Sequence, residues 1–361
     1  MKTSKTAVFT SHLHPLEIRA IPVPPLNKGE ILVRNEYTTL CRSDLYTYSG
    51  KRQEATPTIL GHEITGRIEA FGDNGPCPDL RNNLLAKGDR ISWAIFTSDP
   101  GSDLARQGIP QKGEGLFKYG HERLTEESVL HGGLSEYIIL RPHTPVIKID
   151  ESLPLGVAAI INCAVATVAG AMRLAGDVQG KHVLISGAGM LGMIACAMCR
   201  VKGAVSVSAL DVSPERLNES SKFGADNTFL ADQALAENIR AHFEKTNPFH
   251  VVIELSGVAS ATEQAIEMLA IGGTAVLPGA TYPERPLQLN AEKIVRNLLT
   301  LKGLHNYNRE DFRVAVEFME QHHSEFPFAG MIHEGFTLTD INEAFDHGLK
   351  VNPFRVGVKI E

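Results

Sequence analysis

The sequence predicts an α/β chain in two parts: a β-rich, barrel-like domain and a doubly wound parallel sheet, with a tail that returns to the first. Three observations carry this. Short strand-like segments broken by Pro and Gly fill residues 1 to about 150. From Pro154 the texture turns to Ala-rich helix, then to alternating strands and helices as far as Leu304. The chain has 361 residues, more than one ordinary hydrophobic core accommodates.

In the first part, residues 6–10, 17–20, 29–37, 65–71 and 89–94 have strand character. Residues 181–186 read as a short buried strand, 193–201 as an apolar helix, and 205–210 as a second strand ending at Asp211. Residues 251–255 and 273–278 are further buried strands, the pattern of a parallel sheet with crossover helices. The tail, 312–361, is mixed and ends in a strand over 354–360 that could pair with the first domain's sheet. The sequence contains no internal repeat and no low-complexity tract.

Composition narrows the function classes. The chain is 43% hydrophobic and 21% charged, as globular proteins are. A net charge of -7 argues against nucleic acid and anionic membranes as partners. No apolar run reads as a bilayer span, and the polar start of the chain lacks the apolar region of a secretory signal. Five cysteines without paired spacing fit a reducing cytoplasm.

Between the predicted strand 181–186 and its following helix stands Gly187-Ala188-Gly189-Met190-Leu191-Gly192. Glycines at these spacings permit a tight turn, close backbone approach to a pyrophosphate and close helix packing. An acidic residue, Asp211, follows about twenty positions on, completing the context of a dinucleotide site. Its carboxylate can accept from a ribose diol and would repel a 2′-phosphate, which favours NAD over NADP. Arg216 either caps the adenine ribose beside Asp211, tolerates a phosphate, or is solvated.

A second constellation lies upstream. Cys41-Arg42-Ser43-Asp44 is followed by a turn-rich stretch and then Gly61-His62-Glu63, with Cys163 far downstream in an apolar run. Two thiolates and one imidazole with an open fourth position suit a catalytic zinc. The plain alternative is three unrelated residues: a buried Cys, a surface His and a helix Cys.

With both constellations present, the chain resembles the zinc-dependent medium-chain alcohol dehydrogenase family over essentially its full length. The resemblance rests on Gly61-His62-Glu63 with Gly66, Lys87-Gly88-Asp89-Arg90, Asn162-Cys163 and the 187–192 loop. It implies a GroES-like catalytic domain (1–160 and 305–361) and a Rossmann NAD-binding domain (161–304), with the active site in the cleft between them. It further implies Cys41, His62 and Cys163 as zinc ligands, with Glu63 a carboxylate able to approach the metal. By the same resemblance Ser43 receives the alcohol proton, Asp44 orients a ligand, and Arg42 and Arg355 pair with the cofactor pyrophosphate. Thr167, one helical turn beyond Cys163, would face the nicotinamide. Ser43 also has a simpler reading as a helix N-cap, as does Asp44. A homodimer or homotetramer through the Rossmann sheet edges is implied as well.

The chain departs from that pattern twice. Where many relatives place four cysteines around a structural zinc, it has Asp99, Ser102, Ala105 and Gly113, which cannot close a tetrahedral site. The expectation is therefore one catalytic zinc per subunit and a lobe that is held by packing or is mobile. The outer proton-relay position, a histidine in many relatives, is Tyr46, and a phenol is a poor base at neutral pH.

Other candidates read as structural. Cys196 and Cys199 have redox-like spacing but fall on the helix after the glycine loop, where small apolar side chains pack on the sheet. His322-His323 reads as solvated and Cys77 as a loop residue.

Within the family, the chain looks most like a subgroup labelled phosphonate catabolism-associated alcohol dehydrogenases, through residues 41–50, 118–122, 162–168 and 303–307. That implies a small alcohol or carbonyl substrate bearing an anion, with Lys51, Arg52, Lys118, His121 and His305 as candidate cations. Polyol or 3-hydroxy amino acid oxidation, as in sorbitol- and threonine-type enzymes, is the alternative. A non-catalytic nucleotide-binding protein is the alternative from another class.

Overall fold

A computed structural model describes residues 2–361. The chain folds as two compact units. One runs up to Ala166 and adds Asn308–Ser324 and Phe328–Glu361; the other is Thr167–Tyr307 with Glu325–Pro327.

The first unit is built on a seven-stranded sheet. Its longest strand, Ile31–Leu40, pairs antiparallel with Glu63–Phe71, Tyr137–Leu140 and the C-terminal strand Arg355–Lys359. The tail thus completes the sheet begun by the N-terminal half, with Val356 opposite Leu40. The strand expected over 6–10 is Thr3–Val8, forming a separate hairpin with Glu17–Pro22. Two large apolar clusters and a smaller one around Leu32, Leu130 and Ile139 pack the unit. Of the large two, one gathers Phe9, Leu45, Tyr48 and Phe345, the other Val33, Ile68, Trp93 and Tyr119.

The second unit is a six-stranded sheet, parallel throughout. Its order is Asn227–Leu230, Ser206–Asp211, His182–Ser186, Phe249–Glu254, Leu269–Leu277, Thr300–Gly303. Its central strands are apolar on both faces, which requires cover on each side. The first strand in sequence, His182–Ser186, lies mid-sheet, with its successors running outward on either side. Order reverses there, and ligands of such sheets bind at that point, outside the carboxyl ends of the strands.

One reading needs correction. The helical run Leu155–Ala175 is long and apolar enough to cross a membrane, contrary to the expectation that no segment is; 83% of its apolar window is buried inside the protein. Within the run, Ile161–Val165 forms a π turn closed by the Val165 N–H on the Ile160 carbonyl at 3.2 Å. From Gly156 to Met172 only Cys163 and Thr167 are partly exposed.

Candidate metal and dinucleotide sites

Cys41 follows the strand Ile31–Leu40 and immediately precedes the helix Arg42–Tyr48, with extended backbone that aims it off the sheet end. His62 directly precedes the strand Glu63–Phe71, and Cys163 sits in the π turn. Two strand ends and one irregular helical turn bring the ligand atoms of Cys41, His62 and Cys163 to within 4.8 Å of one another. A zinc ion takes such donors at about 2.0–2.3 Å each, so this set fits one ion with a fourth position left open. A π turn is a frequent device at functional sites because it breaks the helical phase locally.

Asp44 ties this arrangement together. Its Oδ2 accepts the Cys41 N–H at 2.9 Å and its Oδ1 accepts the Gly61 N–H at 3.2 Å. The same Oδ1 lies 3.3 Å from His62 Nδ1, leaving Nε2 for a metal. Burial opposes charge on His62, but Asp44 and Cys41 outweigh it and push its pKa up to about 10. Cys41 is held well below the usual thiol range: Cys163 donates to it and, against burial, Arg355 and His62 favour the thiolate. Ser43 is no N-cap; its hydroxyl stands 3.3 Å from His62 Nε2, within the cluster's reach.

Glu63 and Arg355 are placed differently from expectation. Glu63 is not among the converging ligands. Its carboxylate accepts from Arg355 Nε at 2.6 Å, from Arg355 Nη2 at 2.9 Å and from the Thr39 hydroxyl at 2.6 Å. Arg355 also reaches Cys41 Sγ at 3.6 Å and the Phe354 carbonyl at 2.9 Å. It is 4% exposed. A guanidinium so engaged belongs to the metal cluster's surroundings. Burial works against its charge, yet Glu63 and Cys41 raise its pKa still further. Arg42 donates to the Asn352 side chain on the surface, and Tyr46 lies under the Lys51 ammonium, 5.4 Å from the ring centre.

Beside His62 lies a charged group that spacing alone did not assemble. The His121 ring lies 4.9 Å from that of His62, tilted by 33°, and His121 Nδ1 is 3.0 Å from Glu54 Oε1. Arg52 Nη2 is 2.7 Å from the same oxygen. Burial lowers the Lys118 pKa, and so does its neighbour Arg52. Glu54 was missed in the sequence because nothing local marks it. His305 is exposed and belongs to the other unit.

The lobe without cysteines has its own fastenings. Ser102 Oγ donates to the Asp99 carbonyl at 2.9 Å and caps the helix Asp103–Arg106, while Ser98 Oγ donates to the Pro110 carbonyl at 2.7 Å. A side chain at Gly113 would meet both hydroxyls at 2.9 Å.

In the second unit each loop glycine has a separate reason. Gly187 has φ +99, and a Cβ there would lie 2.9 Å from the Ser256 nitrogen. A Cβ on Gly192 would lie 2.1 Å from the Gly187 carbonyl, so only glycine lets the helix Met190–Val201 approach the turn. A Cβ on Gly189 would meet nothing nearer than Arg216 Nη1 at 4.0 Å; its small size leaves space rather than relieving a clash. Asp211 closes the far side. Its Oδ2 accepts the Ala188 N–H at 2.7 Å and its Oδ1 the Ser213 N–H at 2.9 Å. A carboxylate has about four acceptor sites, so a ribose diol can still be received. The loop, its helix N-terminus and Asp211 fit a dinucleotide. Cys196 and Cys199 lie buried in the helix, and burial pushes the Cys199 thiol up to about 12, as a packing role requires.

Comparison with known proteins agrees with this geometry. Residues 27–151 match the alcohol dehydrogenase GroES-like domain and residues 191–321 the zinc-binding dehydrogenase domain. The chain is 26% identical to L-threonine 3-dehydrogenase of Aeromonas hydrophila over 343 residues, covering 90% of each. It is 26% identical to alcohol dehydrogenase 1 of Zea mays over 388 residues, covering 99% of this chain and 97% of the relative. The crystal structure of an alcohol dehydrogenase from Thermotoga maritima superposes with a TM-score of 0.93 at 26% identity, over 100% of both chains. The chain therefore belongs to the zinc-dependent medium-chain alcohol dehydrogenase family, with a GroES-like domain and a Rossmann domain, and is an oxidoreductase acting on alcohols.

Proposed function

We propose that this enzyme carries one zinc per subunit, uses NAD, and oxidises a small alcohol that bears an anionic group, or reduces the matching carbonyl. The observation that carries the substrate class is the charge imbalance beside His62. Arg52 and Lys118, with Lys112 near enough to depress Lys118 further, face the carboxylate of Glu54. Arg52 is paired with Glu54, and Lys118, held in a half-buried setting beside another cation, gains from an anionic ligand.

Zinc held by Cys41, His62 and Cys163 supplies the Lewis acidity that makes an alcohol O–H acidic near neutral pH. The chain's own residues do the rest. Asp44 holds the Cys41 backbone and the His62 ring in place. Ser43 Oγ, beside His62 Nε2, receives the alcohol proton and passes it outward by way of Tyr46 or water. Glu63 and Arg355 fix the charge around Cys41. A dinucleotide held by residues 187–192 and Asp211 would supply the acceptor for the carbinol hydride, and we assign Thr167 to its nicotinamide end. Asp211 favours a free ribose 2′-hydroxyl, hence NAD.

Three further readings accompany this. The Aeromonas relative is a threonine dehydrogenase by name, and a 3-hydroxy amino acid carries a carboxylate that the same cations would receive. Dimerisation at the Thr300–Gly303 sheet edge is supported by Ile271, Val295 and Leu298, exposed at 74%, 72% and 71% around the Gly272–Asn297 backbone hydrogen bond. Five free thiols suit a reducing cytoplasm.

The test is NADH formation by zinc-replete enzyme on 2-hydroxyethylphosphonate, L-threonine and 1-propanol. Preference for the phosphonate, weakened at least tenfold in Lys118→Ala, supports the reading; preference for propanol overturns it. Metal analysis returning two tightly held zinc ions per chain would overturn the stoichiometry.

A further inference from the structure

Glu254 ends the strand Phe249–Glu254, beside the central strand of the parallel sheet, and is 1% exposed. A carboxylate so buried needs partners. Its Oε1 accepts the Ser256 N–H at 2.8 Å and also the Ser256 hydroxyl. The Gly257 N–H points between both oxygens, 3.3 Å from Oε1 and 3.2 Å from Oε2. Burial raises the Glu254 pKa, opposed by these donors and by Thr262 on the following helix.

What the carboxylate holds is the turn that faces the glycine loop. Leu255 N–H bonds to the Ser186 carbonyl at 2.7 Å, immediately before Gly187. The Ser256 nitrogen and the Leu255 carbonyl carbon are the atoms that a Cβ on Gly187 would meet, at 2.9 and 3.1 Å. On the other flank, a Cβ on Gly257 would lie 2.4 Å from the Gly279 carbonyl, and one on Gly279 would lie 2.9 Å from Glu254 Oε2. The turns after three neighbouring strands therefore converge on one carboxylate, at the sheet edge where a dinucleotide is received.

We propose that Glu254 is a positioning residue for the dinucleotide: by fastening residues 255–257 it sets the shape of the Gly187 turn. The inference rests on the reading of residues 187–192 as a dinucleotide site. Glutamine keeps the size of the side chain but presents an NH2 group to N–H donors, so one acceptor is lost and a repulsion replaces it.

The experiment is calorimetric titration of NADH into wild type, E254Q and S256A, with thermal unfolding of each protein alone. In E254Q the NADH Kd rises about tenfold, as a lost buried hydrogen bond implies. S256A, which removes one donor and keeps the carboxylate, shows a smaller rise and serves where E254Q does not fold. Steady-state kinetics show the KM for NAD raised while kcat and the alcohol KM stay within about twofold, because the metal cluster is untouched. A lowered Tm with unchanged NADH Kd in the folded variants overturns the proposal and leaves Glu254 a stabilising residue. Wild type failing to bind NADH overturns the dinucleotide reading itself.

Discussion

Arg355 and Glu63, 292 positions apart in the chain, form a bidentate buried pair whose guanidinium also touches a candidate zinc ligand, Cys41. The C-terminal strand thereby delivers a positive charge to a cluster assembled from the N-terminal half.

Removing that charge should be costly. In Arg355→Met the Glu63 carboxylate remains buried without its ion partner, and stability falls by about 3–5 kcal/mol in urea unfolding. Arg355→Met with Glu63→Met restores most of the loss, since a buried pair replaced whole by apolar side chains is often near neutral. A single substitution costing less than ~1 kcal/mol would show the pair to be energetically idle.

Asp44→Asn keeps the shape of the side chain but places an NH2 among the Cys41 N–H, the Gly61 N–H and the His62 ring. Zinc affinity should fall about 10–100-fold, as when the outer partner of a metal-bound histidine is lost. Competition with a colorimetric chelator reads this directly. Unchanged affinity would reduce Asp44 to a helix cap.

Gly189→Ala and Gly192→Ala should separate binding from folding. The first meets only Arg216 at 4.0 Å, so stability changes by less than ~0.5 kcal/mol while NADH binding weakens, because the methyl occupies the approach to the pyrophosphate. The second drives a methyl into the Gly187 carbonyl and costs about 1–3 kcal/mol as well as binding. Titration and unfolding of both variants decide it; equal stability losses would contradict this division of roles.

His131 predicts a pH dependence. It is 1% exposed, neither ring nitrogen has a hydrogen-bond partner among the described residues, and the Phe117 ring meets it edge-on at 6.3 Å. Burial, with Arg141 adding to it, lowers its pKa to about 4. The folded state keeps the ring neutral where the unfolded chain takes up a proton at about 6.5. Its contribution is therefore fully present above pH ~6.5 and is lost as pH falls towards about 4, amounting to about 3 kcal/mol. Wild type minus His131→Leu, followed by unfolding from pH 7 to 4.5, should show that slope. Parallel profiles would refute it.

How much of this was legible in the sequence depended on distance along the chain. The glycine loop and Asp211 announce themselves because a turn, a helix start and a strand end are local, and each glycine answers a local steric demand. Cys41, His62 and Cys163 were recognisable as ligand types, but their convergence depends on strand pairing and a π turn that no spacing rule conveys. The pairing of Glu63 with Arg355 was not legible because the guanidinium arrives from the far end of the chain. Glu54 was invisible because it matters through His121, 67 positions away, and the apolar helix Leu155–Ala175 was underestimated because Asn162 and Arg173 interrupt it. Cys196 and Cys199 were readable as packing residues, since position on the loop helix already dictates burial.

The π turn at Ile161–Val165 has a consequence for the register of the helix it interrupts. Each residue advances a helix by about 100°, so one extra residue in a turn rotates everything beyond it by that amount. The division between the two compact units falls at Ala166, directly after that turn. The run is buried all round from Gly156 to Met172 except at Cys163 and Thr167, so the turn sets which way these two residues face. Deleting Ile161 or Asn162 would turn Cys163 by about 100° and out of line with Cys41 and His62, disabling the metal cluster through a change of register alone.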